Sequence, residues 1–439
     1  MRKPNILMLG WEYPPFINGG LGIACAGLSK EISKKTNLTL IVPKVSKSQS
    51  NKNYKVFGLD HIEEKTIDTV SIKSILKEQA QVYEIDVALD PYLTATEIKE
   101  IKHTETVKQK EVKSKRLLSI SDIFKQQNLY GNNTIEKVIL YAEFVKNISA
   151  DLEFDIIHCH DWMTFLAGIE VKKVSGKPLI LHIHSLDYDR AGDQSRSWIY
   201  NIEKQALAQA DMIIPVSSYT GNIVMSHYQI PQDKLFTVHN GITSKNGFKK
   251  KKKFPEKVVL FIGRLTGQKG PEYFLDVAER IHQKYSNVRF VIAGTGERLQ
   301  KLIEDGAYKQ IGDRVHFTGF IERDQIEELL AIADVYCMPS VSEPFGLTAL
   351  EAAQFGVPTV ISDRSGVAEV LNGALKVDFW DIDLMVKHIV ELLKNEALKK
   401  KVVEQNYQDL KSLTWSNAAE KVMHAYRAVL KSETTKMQS

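Results

Sequence analysis

The chain has 439 residues, of which 43% are hydrophobic and 26% charged, and this composition excludes a disordered or fibrous protein. A formal net charge of +4 does not indicate a nucleic-acid-binding protein, although it permits anionic small-molecule ligands. No apolar run reaches the length of about 18 residues that spans a bilayer, and three scattered cysteines form no disulfide framework. We therefore expect a cytoplasmic protein without a membrane span.

Short apolar runs in the first half predict strands that are buried on both faces of a parallel sheet. These runs lie at 5–10, 38–43, 154–161, 178–185 and 211–217. Helical patterns fall between several of them, at 21–34, 135–150, 162–173 and 197–209. This alternation predicts βαβ units. The more polar stretch from about 60 to 130 is interpreted as an insertion with helices of its own.

The second half repeats the pattern. Predicted strands lie at 258–264, 288–294, 315–320, 334–340 and 358–362, and predicted helices at 271–284, 297–304, 324–331 and 345–356. The predicted fold class is therefore α/β, with two Rossmann-like domains, each built on a doubly wound parallel sheet. We place them at 1–243 and 244–415, followed by a helix at 416–439 that packs back on the first domain. The lysine run at 249–253 is interpreted as a solvated connector near the boundary.

Glycine-rich turns follow predicted strands in both halves. Gly19 and Gly20 precede a helix, where free N–H groups and the positive end of the helix dipole suit a phosphate. Gly294, in IAGTGE, lies at a similar junction. Either turn could instead serve close packing alone.

The stretch GRLTGQKG (263–270) carries a second kind of signal. Arg264 and Lys269 lie five residues apart on a turn flanked by glycines, just after a predicted strand. Two cations in this position neutralise a diphosphate better than one. The pattern favours anion binding over an ordinary basic surface pair.

The stretch EPFGLTALE (343–351) places carboxylates before and inside a predicted helix. Backbone N–H groups near Gly346, Leu347 and Thr348 can hold the same diphosphate. Glu351, two turns into the helix, can accept two ribose hydroxyls. Glu343, before the helix, can bind sugar hydroxyls or stabilise a developing cation.

Seven motifs in order along nearly the whole chain resemble those of retaining glycosyltransferases of the GT-B fold (family 4/5 type), which include bacterial and archaeal glycogen synthases. They are WEYPPFINGGLG, HCHDW, HIHSLDYDR, VSSYT, VHNGI, GRLTGQKG and SEPFGLTALEAAQFGVP. The resemblance implies two domains that face each other across a deep cleft. It also implies a nucleotide diphosphate sugar donor, such as UDP-glucose or ADP-glucose, and no required metal or other cofactor.

The resemblance assigns roles to individual residues. The implied catalytic residues are Glu343, His160, His184, Arg264 and Lys269. The implied donor-binding residues are Gly19, Gly20, Arg264, Lys269, Asn240, Leu347, Thr348 and Glu351. To these the glycine-rich turn and the helix start described above add Gly294 and Gly346 as predicted donor-binding residues. Glu343 is expected near the sugar 3-hydroxyl, and His160 and His184 are expected to touch the donor sugar or the acceptor.

The implied reaction is the transfer of a hexosyl unit to an acceptor hydroxyl during elongation of an α-glucan. We expect the hexosyl unit to be glucosyl. A different acceptor (a sugar phosphate, a lipid or a cell-envelope glycan) remains an alternative. An alternative of another class is a metal-dependent hydrolase that uses two His-x-His pairs, His158/His160 and His182/His184. Two Asp-x-Asp pairs, Asp187/Asp189 and Asp381/Asp383, are expected to make loop hydrogen bonds or to be solvated.

Overall fold

The computed structural model describes residues 2–46, 49–51, 54–61, 124, 129–131, 133–244 and 252–438. The predicted insertion at about 60–130 lies almost wholly outside the described residues, as do 249–251 of the lysine run. The chain forms two compact units. The first comprises Met1–Val216, Gly221–Val238 and Ala418–Ser439, and the second comprises Ser217–Thr220 and His239–Asn417.

The first unit has a seven-stranded sheet in the described part of the chain. Its strands are β1 (Asn5–Leu9), β2 (Asn37–Val42), β3 (Gln49–Asn51), β4 (Tyr54–Gly58), β5 (Ile156–His160), β6 (Leu179–Ile183) and β7 (Met212–Pro215). Their order is β3-β4-β2-β1-β5-β6-β7, and only β3 pairs antiparallel with its neighbour. The helices are α1 (Gly20–Ile32), α2 (Thr134–Ser149), α3 (Trp162–Ser175), α4 (Asp187–Ala191), α5 (Trp198–Gln209) and α6 (Ser218–Tyr228).

Among its described residues, the second unit has a six-stranded parallel sheet in the order β10-β9-β8-β11-β12-β13. The strands are β8 (Lys257–Ile262), β9 (Val288–Ala293), β10 (Val315–Gly319), β11 (Val335–Met338), β12 (Thr359–Ser362) and β13 (Leu375–Val377). The helices are α7 (Pro271–Lys284), α8 (Leu299–Tyr308), α9 (Arg323–Ile332), α10 (Leu347–Gln354), α11 (Ile382–Lys394) and α12 (Glu396–Leu410). A last helix, α13 (Trp415–Gln438), begins in this unit and continues into the first.

The strands of both sheets are built from continuous apolar runs, which allow them to be buried on both faces. In the second unit, Val259 and Phe261 of β8 are buried against Phe274 of α7 and Ile389 of α11 in one core. Strands covered by helices on both faces need apolar side chains on both faces, which is the pattern of these segments. The prediction of two doubly wound parallel sheets is confirmed.

Each sheet reverses its strand order at one point near its centre. In the first unit this point lies between β1 and β5, and in the second between β8 and β11. Open α/β sheets bind ligands at the carboxyl ends of the strands beside such a point. These two edges are where the predicted site residues lie.

The interpretation of the lysine run as a solvated connector is wrong for Lys252. Its ammonium group forms an ion pair with Asp334 and donates to the backbone carbonyl of Glu256 at 3.0 Å. Asp334 is mostly buried, so it holds Lys252 beside β8 rather than leaving it in solvent. Among the described residues, no helix combines the length and apolar character that crossing a membrane requires.

Candidate active site

In the second unit, the turn after β8 meets the loop after β11. Lys269 forms an ion pair with Glu343, and the two side chains are 20% and 9% exposed. Both elements flank the point where the sheet reverses its order. The structure therefore brings a predicted phosphate-binding cation and a predicted sugar-binding carboxylate into direct contact.

The turn that carries Lys269 is fixed to the loop that carries Glu343. The Gln268 carbonyl accepts the Val341 N–H at 2.9 Å, and the Gln268 side chain donates to the Ser342 carbonyl at 3.1 Å. Gly270 follows in the left-handed region (φ 64°), where a Cβ would lie 2.2 Å from the Pro339 carbonyl oxygen. The backbone can approach this closely only because Gly270 has no side chain.

Arg264 lies at the other end of the same turn and is exposed, directly after β8. Its neighbour Gly263 is packed against Gly294, whose Cβ would lie 1.9 Å from the Gly263 carbonyl oxygen. Gly294 donates its N–H to the Gly319 carbonyl at 3.0 Å. The Gly294 N–H is therefore already hydrogen-bonded to the protein. Gly294 contributes to the site by having no side chain, which leaves space for the turn that begins at Gly263.

Helix α10 begins behind Glu343. Its N-cap is Gly346, in the left-handed region (φ 103°), which offers no side chain to cap the first N–H groups. The N–H groups of the first helical turn, which include those of Leu347 and Thr348, have no partner within a helix. The Thr348 hydroxyl is 2.7 Å from the hydroxyl of buried Tyr336, so it is fixed by β11. This helix start has the form of an anion-binding site.

Glu351 lies one turn further along α10 and accepts from Arg323 of α9 at 3.3 Å. Phe320, three residues before Arg323, is 69% exposed at the end of β10. The sequence motifs did not single out Phe320 as a candidate site residue. The signal available in the sequence was an aromatic residue directly after a strand-terminal glycine, at the edge of the sheet where ligands bind.

Asn240 is buried in the second unit, in the segment before the chain passes the lysine run. Its neighbour Gly241 packs against the backbone of Trp415, where a Cβ would lie 2.2 Å from the Trp415 nitrogen. Ile242 donates its N–H to the Leu413 carbonyl at 2.9 Å. This backbone pairing holds the VHNGI segment in place.

In the first unit, Gly19 and Gly20 lie exposed at the start of α1, and Gly19 provides no side-chain cap. The loop before them is fixed by buried Glu12, which accepts the Asn18 N–H at 3.1 Å. Gly22 packs on Ile17, since a Cβ there would lie 2.3 Å from the Ile17 side chain. The third glycine of the motif therefore has a packing role.

His160 and His184 are hydrogen-bonded to each other through Nδ1 and Nε2 at 2.9 Å. They belong to a stack of four imidazoles, of which those of His158, His160 and His182 are buried and that of His184 is partly exposed. The stack continues through His182 to His158, which contacts the Tyr426 hydroxyl of α13 at 2.6 Å. Burial lowers the pKa of His184 to about 3 and that of His160 well below its usual range. The imidazoles are therefore neutral at physiological pH, and suited to hydrogen bonding rather than to carrying charge.

The loop after β5 holds this stack in place. Asp161 has φ 60° and accepts the N–H groups of His184 and Ser185 at 2.6 and 3.2 Å. Burial raises the pKa of Asp161 to about 7, against the opposing effect of these hydrogen bonds. The conformation of Asp161 thus ties the strand carrying His160 to the residue that carries the second imidazole.

The imidazole geometry does not favour a metal centre. His158, His160 and His182 lie close enough together to be considered as ligands. Their rings, however, stack within 10–29° of parallel at 4.6–5.4 Å. A metal ion binds in the plane of each imidazole, and stacked planes share no such point. Both nitrogens of His158 are also engaged, by Tyr426 and His182.

The two Asp-x-Asp pairs make local contacts. Asp187 accepts from the hydroxyls of Ser195 and Ser197 at 2.5 and 2.8 Å. Asp189 accepts the Leu186 N–H, and Asp381 accepts the Leu384 N–H. Asp383 forms an ion pair with Arg280. These carboxylates therefore serve loops and helix ends.

Comparison with known proteins identifies the class. One relative is an uncharacterized glycosyltransferase of Methanocaldococcus jannaschii, 26% identical over 97% of this chain and 98% of its own. The glycogen synthase of Mycobacterium tuberculosis is 24% identical over 98% of this chain and 96% of its own. The α-maltose-1-phosphate synthase of Mycolicibacterium smegmatis is 26% identical over 64% of this chain and 83% of its own.

Solved structures agree on the fold. The sucrose-phosphate synthase of Thermosynechococcus elongatus superimposes with a TM-score of 0.69 at 16% identity, covering 98% of this chain and 100% of its own. The catalytic domain of Arabidopsis thaliana starch synthase IV, bound to ADP and acarbose, gives 0.66 at 15% identity, covering 98% and 100%. The protein is a glycosyltransferase of the GT-B fold.

More narrowly, the chain belongs to the starch synthase catalytic domain family, whose profile matches residues 5–236. Residues 243–409 match the glycosyl transferases group 1 profile. The glycogen-synthase-like resemblance indicated by the motifs is confirmed. The roles of the individual site residues stay predictions, and they fall into two groups, one in each unit.

Proposed function

We propose that the protein transfers a glucosyl unit from a nucleoside diphosphate glucose to a hydroxyl of an α-glucan, with retention of the α configuration. The observation that carries this proposal is the ion pair between Lys269 and Glu343 beside the uncapped start of α10. This arrangement offers cationic and N–H donors to a diphosphate and a carboxylate to the sugar attached to it.

In the proposed reaction, the bond between the anomeric carbon and the diphosphate oxygen breaks as the acceptor oxygen forms its bond to the same carbon. The acceptor enters on the face that the diphosphate leaves, and its proton passes to the departing phosphate oxygen. Charge develops on the diphosphate, where Arg264, Lys269 and the α10 N–H groups stabilise it. Glu343 orients the sugar and stabilises its oxocarbenium-like state.

The nucleoside half of the donor is assigned to neighbouring side chains. We propose that Glu351 accepts the ribose hydroxyls and that exposed Phe320 stacks on the base. His160 and His184, as neutral imidazoles, are proposed to donate or accept hydrogen bonds from sugar hydroxyls. We also propose that transfer needs no metal, because the cationic side chains already supply positive charge.

The test is a transfer assay of the full chain with UDP-glucose or ADP-glucose and glycogen as acceptor, with and without a chelator. We expect release of the nucleoside diphosphate that depends on glycogen, and α-linked product by NMR. Release that is independent of any acceptor would contradict the proposal.

A second acceptor class is favoured by similarity to the α-maltose-1-phosphate and sucrose-phosphate synthases. In this alternative a sugar phosphate replaces the glucan. Glucose 1-phosphate and fructose 6-phosphate serve as the distinguishing acceptors in the same assay.

A further inference from the structure

The motif VSSYT (216–220) has no part in the proposed reaction, yet its residues Ser217–Thr220 contact the site loops of the second unit. Residues Ser217–Thr220 belong to that unit, whereas α6 continues from Gly221 as part of the first. Both Ser217 and Thr220 are fully buried. Buried hydroxyls need hydrogen-bond partners, and the partners of this segment lie next to Glu343.

The segment contacts the residue on each side of Glu343. Ser217 donates from Oγ to the Pro344 carbonyl at 2.7 Å and accepts the Thr220 N–H at 3.0 Å. The Tyr219 hydroxyl is 2.9 Å from the Ser342 hydroxyl. Glu343 is thus bracketed by two hydroxyl contacts from one helix start.

The backbone of Glu343 is fixed on its other side by the loop after β12. Glu343 donates its N–H to the Arg364 carbonyl at 2.9 Å and accepts the Gly366 N–H at 3.0 Å. Gly366 also makes room for Ser217, because a Cβ there would lie 2.5 Å from the Ser217 Cβ and 2.3 Å from the Pro344 oxygen. Glycine at 366 allows the helix start to reach the loop.

Glu369 anchors the helix start to this same loop. Its carboxylate accepts the N–H groups of Ser218 and Tyr219 at 2.9 and 2.7 Å and pairs with the His239 ring at 2.7 Å. A carboxylate at a helix N-terminus satisfies free N–H groups and complements the helix dipole. The loop that pairs with Glu343 therefore also holds the segment that brackets it.

We propose that Ser217 and Tyr219, anchored by Glu369, are positioning residues that hold the Glu343 carboxylate in its reactive place. The proposal rests on the proposed role of Glu343. Displacing a reacting group by about 1 Å can cost on the order of 100-fold in rate. A merely structural role would lower stability and leave turnover of the folded enzyme unchanged.

The test compares Ser217→Ala with Ser149→Ala in the full chain. Ser149 is a close match, since it is buried and donates to the Lys146 carbonyl at 2.7 Å, but it lies on α2 in the first unit. Tyr219→Phe is the second variant, because it removes one hydroxyl and keeps the ring. Turnover with UDP-glucose or ADP-glucose and glycogen is measured below the unfolding temperature, alongside amide hydrogen exchange of the Gly366 N–H.

We expect Ser217→Ala to lower kcat by at least about 10-fold with the donor KM changed less than about threefold. Tyr219→Phe should lower kcat in the same direction, and Gly366 should exchange faster in Ser217→Ala than in Ser149→Ala. The proposal is overturned if the Gly366 N–H exchanges at the same rate in Ser217→Ala and Ser149→Ala. It is also overturned if that N–H exchanges faster in Ser217→Ala while the two variants have the same kcat. Full activity of Glu343→Gln would instead overturn the role of Glu343 while leaving the exchange result intact.

Discussion

Lys269 and Glu343 form an ion pair that joins the turn after β8 to the loop after β11. Because both side chains are largely buried, neither charge is compensated well by water. The pair holds a cation and a carboxylate side by side at the point where the sheet reverses its order. In the proposed donor complex, the diphosphate would contact Lys269 and the sugar hydroxyls would contact Glu343.

Loss of Lys269 should remove much of the stabilisation of the leaving group. We expect Lys269→Ala to lower kcat/KM by about 100- to 1,000-fold, corresponding to about 2.7–4 kcal/mol for one preorganised donor. Lys301→Ala, which removes an exposed lysine of α8, is the charge-matched control. Initial-rate kinetics with varied donor concentration measure both, and a loss shared equally by the two variants would argue against a role for Lys269.

Glu351 should contribute to binding through the ribose alone. We expect Glu351→Gln to weaken UDP or ADP by about 1.5–3 kcal/mol, the range for hydrogen bonds to a charged group. The same variant should bind the 2′,3′-dideoxy nucleotide as the unaltered protein does. Glu327→Gln is the control, because Glu327 also pairs with Arg323. Calorimetric titration distinguishes these cases, and equal losses for both nucleotides would exclude ribose recognition.

Gly270 should tolerate no side chain. Gly270 and Gly176 share a left-handed backbone, with φ 64° and 67°, but only Gly270 faces a carbonyl oxygen where the Cβ would stand. Gly176→Ala should cost about 1–2 kcal/mol from backbone strain alone. Gly270→Ala should cost several kcal/mol more in denaturant unfolding, since Pro339 must move. An equal loss of unfolding free energy in the two variants would mean that Pro339 moves aside at no energetic cost.

Burial of the imidazole stack should make stability depend on pH. Burial, with a further contribution from His184, lowers the pKa of His158 to about 3 from an unfolded value near 6.5. Between these values the unfolded chain binds a proton that the folded chain does not, so stability falls as pH falls, by about 1.4 kcal/mol per unit.

The comparison of His158→Gln with the unaltered protein isolates this effect. From pH 6 to pH 4, the unfolding free energy of the unaltered protein should fall relative to that of His158→Gln by about 1.4 kcal/mol for each pH unit. The raised pKa values of Asp161 and Glu203 act in both proteins and largely cancel. His424→Gln, an exposed imidazole on α13, is the control. A difference that is constant with pH would contradict a neutral buried His158.

The sequence predicted the strands that are buried on both faces, because uninterrupted apolar runs leave few alternatives. It missed β13, the edge strand β3 and the neighbouring strand β4, whose short segments carry no such run. Helix α6 was also missed, since SYTGNIVMSHY combines a glycine with β-branched residues that favour helix weakly. Tertiary contacts, rather than local preference, fix these elements.

The candidate site divides in the same way. Glycines, cations and carboxylates at strand ends could be found because the chemistry demands those residue types in those places. The Ser217–Pro344 and Ser218–Glu369 contacts join residues 127 and 151 positions apart, and no local pattern relates them. The stacking of four imidazoles likewise depends on the register of β5 against β6.

The proposed reaction requires the second unit to bind a nucleoside diphosphate. Calorimetric titration of the full chain with ADP and with UDP, repeated on Arg264→Ala, tests it most directly. We predict one site per chain for at least one of the two nucleotides, weakened at least about 10-fold in the variant. Absence of binding by both nucleotides, or equal binding by the variant, would contradict the account.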